Sequence, residues 1–71
     1  PHLRLGQALR EAGRAAEAVP ALEAAARLAP RDPGPANQLS MALSEAGKPE
    51  ESRAWARKAQ QLQEGRYRLI T

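Results

Sequence analysis

Few side chains in this sequence have the chemistry of a reaction centre, and their spacing keeps them apart. Glu50 and Glu51 are adjacent, so on a helix they diverge by about 100° and share no proton. Glu17 and Glu51 each stand near the start of a helical stretch, where a carboxylate offsets the positive end of the helix dipole. Glu11 and Glu45 just precede glycines; they read as solvated residues or as carboxylates facing a binding surface. The single histidine, His2, is terminal and has no serine near it. There is no cysteine, which removes disulfides, thiolate zinc sites and thiol nucleophiles together. No glycine-rich phosphate loop is present. The pattern therefore predicts no catalytic residue, no metal site and no cofactor. Arg53, Arg57 and Lys58 form a basic cluster, with Arg66 and Arg68 following. One reading is a patch for an acidic partner or a phosphate backbone; the other is the polar outer face of a helix. Aromatic interleaving is absent beyond Trp55, which weighs against nucleic acid. Trp55 itself reads as core filler, as an interface anchor or as a small-ligand platform.

Length and composition agree with binding rather than catalysis. At 71 residues the chain makes at most one small domain, burying only about 60% of its unfolded surface. That is too little for a deep enclosed active site. The net charge of +3 aids solubility and does not mark a nucleic-acid binder. The longest apolar runs are three residues, as in Ala24-Ala25-Ala26, so no segment predicts a membrane span. No leader pattern is read, and the expected location is cytoplasmic. The chain begins with Pro1 rather than Met, read as an excised domain or a processed start.

The sequence repeats itself. A shift of 34 residues gives ten identities in the first thirty pairs without a gap. Leu5 falls on Leu39, Ala8 on Ala42 and Leu9 on Leu43. Glu11-Ala12-Gly13 falls on Glu45-Ala46-Gly47, and Glu17, Ala25 and Leu28 fall on Glu51, Ala59 and Leu62. Each unit divides into two helices. Leu5, Ala8, Leu9 and Ala12 share one helical face, and Gly13 stops that helix in the left-handed conformation. The second helix carries Ala18, Leu22, Ala25 and Leu28 and ends near Ala29, before Pro30. Pro20 is tolerated only in a first turn. It predicts a start near Ala16 or Glu17, or a bend at Pro20.

The linker Pro30-Arg31-Asp32-Pro33-Gly34-Pro35 punctuates the middle. Asp32 fits an N-cap with Pro33 at the first helical position. Leu39, Ala42, Leu43 and Ala46 then repeat the first stripe, and Gly47 stops it. Pro49 opens a last helix whose inner face carries Ser52, Trp55, Ala56, Ala59 and Leu62, and which Gly65 closes. The expected helices span about 2–12, 16–29, 33–46 and 49–64. They form an all-α fold of two stacked hairpins, residues 1–32 and 33–65, with a tail at 66–71.

These residues resemble the tetratricopeptide repeat, a helix–turn–helix unit of about 34 residues. The resemblance rests on Leu5-Gly6, Leu9, Gly13, Ala18, Leu22, Ala25 and Pro30, then on Leu39, Leu43, Gly47 and Ala59. It covers about 2–64. The departures are His2 and Ala36 at the family's large aromatic, Ser40 at the small residue, Ala56 at the bulky one, and Glu64 at the closing proline. Trp55 is placed to supply the volume missing at Ala56.

The resemblance implies a short α-solenoid that binds a peptide or partner helix through its first helices. That face carries Leu3, Gln7 and Arg10, then Asn37, Met41 and Ser44. Met41 suits adaptable binding or a dimer seam. The family's carboxylate clamp is not expected, because Leu3 and Gln7 stand at its first pair, Gln38 follows, and a third first-helix is absent. Two repeats leave apolar faces open, so either a longer array or a second chain covers them. The expected function is a non-enzymatic protein-interaction module. The alternatives are a homodimerisation unit of a larger protein and, less favoured, a basic nucleic-acid-contacting domain.

Overall fold

The computed structural model describes the backbone of residues 2–70 and the side chains of residues 3–65. Four helices follow one another: α1 His2–Glu11, α2 Ala15–Leu28, α3 Pro33–Glu45 and α4 Pro49–Ile70. Each packs on its successor, and α1 also touches α3. The all-α arrangement of two hairpins in a short solenoid is therefore present.

The turns explain the hairpins. Gly13 and Gly47 have φ of 78° and 80°, a region where a side chain is strained. After α1, the Arg14 amide donates to the Leu9 carbonyl at 2.8 Å and the Gly13 amide to Arg10 at 3.1 Å. After α3, Lys48 donates to Leu43 at 2.8 Å and Gly47 to Ser44 at 3.2 Å. Both are Schellman endings, which satisfy the last carbonyls while turning the chain back. Between the hairpins, the Asp32 carboxylate accepts from the Gly34 amide at 2.9 Å, with Pro33 opening α3. That is the cap expected of this linker.

Two boundaries differ from expectation. α2 starts at Ala15, so Pro20 is its sixth residue rather than a first-turn proline. Pro20 has no N–H for the Ala16 carbonyl. Both residues are exposed, where water can take that carbonyl's bond. At the other end α4 runs through Gly65 to Ile70. Gly65 is absent from the positive-φ glycines; glycine permits a stop but does not compel one. His2, Arg66, Tyr67, Arg68, Leu69 and Ile70 lie outside the described side chains.

The core is the seam between the hairpins. Ala18 and Leu22 of α2 cluster with Leu39, Ala42 and Leu43 of α3, and Leu3, Leu9, Val19 and Trp55 pack against them. The expected α1 stripe is not core. Leu5 is 52% exposed while its counterpart Leu39 is 0%. Ala8 and Ala12 are exposed too, and Leu9 is half-buried. The residue types match; the neighbours do not, because α2 covers the α3 stripe and no described helix covers that side of α1. Ala56 is exposed on α4 for the mirror reason, although its counterpart Leu22 is fully buried. Leu28 is 74% exposed. It is the last residue of the 14-residue α2, whose final turn outruns the 10-residue α1.

Volume is exchanged between the units at one contact. A methyl group on Gly6 would lie 2.5 Å from Leu22 Cγ, so α1 approaches α2 only because Gly6 lacks a side chain. The counterparts of Gly6, Ala18 and Leu22 are Ser40, Ser52 and Ala56. Here the glycine and one alanine are replaced by two serines, and their hydroxyls meet. Ser40 Oγ donates to the Ser52 carbonyl at 2.9 Å, and Ser52 Oγ donates to the Ser40 carbonyl at 2.7 Å. These reciprocal bonds pin α3 against α4.

Leu43→Ala should cost about 2–5 kcal/mol as a buried-leucine truncation, read from the midpoint of urea unfolding. Gly6→Ala should also destabilise, by about 1–3 kcal/mol through overpacking, although alanine is the better helix former by about 1 kcal/mol. A gain in stability would mean that Leu22 moves aside freely.

Candidate functional site

The side of the fold formed by α1 and α3 carries the six residues expected to contact a partner. Asn37, Met41 and Ser44 are exposed along α3, on the side away from the buried Leu39 and Leu43 stripe. Met41 is 43% exposed, one of few large apolar side chains left in solvent. The α1 residues are set deeper. Leu3, Gln7 and Arg10 are half-buried, and Leu3 packs against the core cluster. So α3 presents the freer half of this surface, while α1 forms its wall.

Arg10 joins the two helices. Its Nε donates to Gln38 Oε1 at 3.2 Å, and its Nη1 pairs with Glu45 Oε2 at 3.1 Å. The Arg10 side chain is 17% exposed and that of Glu45 45%. A half-exposed pair contributes about 0–1 kcal/mol, so its main effect is geometric. It fixes one hairpin against the next at the edge of Met41 and Ser44. The link spans 28 and 35 residues of sequence, and sequence reasoning placed Arg10 and Glu45 near this surface without pairing them. Residue types alone do not specify which opposite charges meet at that separation.

The opposite side of the molecule is built differently. Arg53, Arg57 and Lys58 are all exposed but do not act as one patch. Arg53 and Arg57, one turn apart, lie on the side of α4 opposite Trp55. Lys58 turns the other way, its Nζ 4.8 Å from the Trp55 ring centroid, within cation–π range. Both residues line an open cleft of about 400 Å³ with Glu23, Ala26, Arg27 and Pro30. Trp55 is half-buried and packs on the core cluster, the filler role among those considered. Glu17 pairs with Arg14 across one turn. Among the described residues no group of three or more His, Asp or Glu side chains is placed to hold a metal ion. No described helix is long and apolar enough to cross a membrane.

Sequential helix packing, paired glycine turns and a 34-residue repeat have a known counterpart. A family model described as the tetratricopeptide repeat matches residues 2–32 and 36–66. The chain belongs to the tetratricopeptide repeat family. Its repeats form a helical scaffold of the protein-binding kind. Neither a curated protein nor a solved structure matches the chain. The scaffold character of the repeat is thus shared with the family.

Because Met41 contributes exposed rather than core surface, Met41→Ala should change unfolding free energy by no more than about 0.5 kcal/mol. A thermal melt of the purified variant checks this. A large loss would move Met41 into the packed interior.

Proposed function

We propose that this protein binds a peptide or a partner helix on the α1–α3 side, with Asn37, Met41 and Ser44 making the central contacts and Leu3, Gln7 and Arg10 forming the adjoining wall. The observation that carries this reading is the combination on α3 of exposed Met41, flanked by two hydrogen-bonding side chains, with a bracing pair beside it at Arg10 and Glu45. A flexible thioether adapts to apolar side chains of varied shape. Asn37 and Ser44 each offer donors and acceptors to a backbone or an amide. The Arg10 link holds the two helices in register before a partner arrives, which lowers the ordering cost of binding.

The charge distribution favours this side over a nucleic-acid surface. Arg53 and Arg57 point away from Lys58, and Glu50, Glu51 and Glu64 share the same helix. A track of cations without stacking aromatics is a poor single-strand platform. A protein ligand suits the surface better.

Peptides selected from a random library against the purified protein should shift the amide resonances of Asn37, Met41 and Ser44. Met41→Lys should then weaken the selected peptide by tenfold or more, about 1.4 kcal/mol, while Arg53→Glu leaves it within about twofold. Resonance shifts confined to α2 and α4 would reject this surface.

A further inference from the structure

We propose that this protein self-associates head to tail, the outer side of α4 in one copy docking on the outer side of α1 in the next. The argument rests on a contact the molecule already contains. Inside the chain, α2 and α3 pack through Ala18, Leu22, Leu39, Ala42 and Leu43. The 34-residue repeat carries α2 onto α4 and α3 back onto α1. The outer sides of α1 and α4 therefore hold the places of the two halves of one internal interface, α1 with the residues kept and α4 with them changed, and each lacks its mate among the described residues.

Burial follows that account at the outermost positions, whereas Leu9 and Ser52, the counterparts of Leu43 and Ala18, are half-buried within the chain, Leu9 on the core cluster and Ser52 bonded to Ser40. On the receiving half, Leu39 and Ala42 are 0% exposed, while their counterparts Leu5 and Ala8 lie in solvent. On the inserting half, Ala15 and Leu22 are buried, and their counterparts Pro49 and Ala56 are exposed. Val19 is half-buried, and its counterpart Arg53 is exposed. A second copy placed by the operation that relates the hairpins sets its α1 on the α4 of the first, as α3 sits on α2.

Chemistry sets the strength of that contact. Leu5, Ala8, Leu9 and Ala12 keep the stripe of Leu39, Ala42, Leu43 and Ala46 unchanged in type. The α4 half is weaker, with Ala56 for Leu22 and Arg53 for Val19. Arg53 can lay its stem on apolar surface and keep its guanidinium in water. The intermolecular contact is thus a looser version of the internal seam. It is also heterologous, two different patches rather than one patch on itself, so it adds copies without closing a pair. By the same operation the next copy's α1 stands beside α3 as α3 stands beside α1, so in the assembly Asn37, Met41 and Ser44 become half-covered, as Leu3, Gln7 and Arg10 are within one chain.

Two variants and their mixture test the proposal. Sedimentation velocity of the full 71-residue chain over roughly a hundredfold concentration range should give a rising sedimentation coefficient, as mass action requires. Leu5→Glu leaves the α4 side intact, and Ala56→Glu leaves the α1 side intact. Each alone should stay monomeric at every concentration. Mixed in equal amounts, they should form a two-chain species and nothing larger. Both sites are exposed, and Ala8→Glu repeats the α1 test should Leu5→Glu lose its helical circular dichroism. A monomeric wild type overturns the proposal. So does an Ala56→Glu protein that still pairs, which would mean α1 against α1, or a mixture that stays monomeric while the wild type associates.

Discussion

A two-helix hairpin built from leucine and alanine has more apolar surface than its two helices can hide from each other, and every other feature of this molecule answers to that constraint. The seam of Leu22 against Leu39 and Leu43 relieves it once. These three leucines are the largest side chains fully withdrawn from water. They hold two hairpins that would each be marginal alone, because a repeat gains its stability from its neighbour. The outer face of α1 carries the same pattern as α3 without that relief, and the outer face of α4 carries a more polar version of the α2 pattern. One repeated unit thus yields three environments: one buried seam and two open ends.

The seam also orders the surface proposed for recognition. Packing Leu39 and Leu43 inward turns the other side of α3 outward, which brings Asn37, Met41 and Ser44 into solvent. Helix geometry links the two results: residues three and four apart share a side, so the stripe chosen for burial decides the stripe left for a partner. Arg10 then crosses from α1 to reach Gln38 and Glu45. Its bonds are individually modest, but they resist sliding of one hairpin on the other at the place where a ligand would sit.

Much of this was readable before any coordinates. Glycines at 13 and 47 and the Asp32-Pro33 cap carry local conformational demands, and local demands survive into the fold. Four helices and their order followed from them. What was not readable depended on neighbours. Leu5 and Leu39 are indistinguishable as residues, yet one is half in water and the other is enclosed. Leu22 and Ala56 differ in burial for the same reason. Gly65 resembles the stops at Gly13 and Gly47, but no turn is required of it, and α4 passes through. Of the six residues expected to face a partner, the α3 set stands free; the α1 set is half-buried because α3 leans against it, which periodicity within α1 cannot register.

The contrast between the units carries one more step. Gly6 against Leu22 and Ser40 against Ser52 are two solutions to the close approach of paired helices, one spending its volume on a leucine in the seam and the other on a pair of hydroxyls. The leucine solution suits α2, which must fill space towards both α1 and α3. The hydroxyl solution suits α4, which has only α3 to hold and gains orientation from two reciprocal bonds at 2.9 and 2.7 Å. Hydrogen bonds of that kind fix rotation and register more tightly than apolar contact, which is non-directional. The second hairpin is therefore set by polar geometry and the first by packing. Because α3 packs on both α2 and α4, the surface bearing Met41 is held from one side by shape and from the other by bond direction.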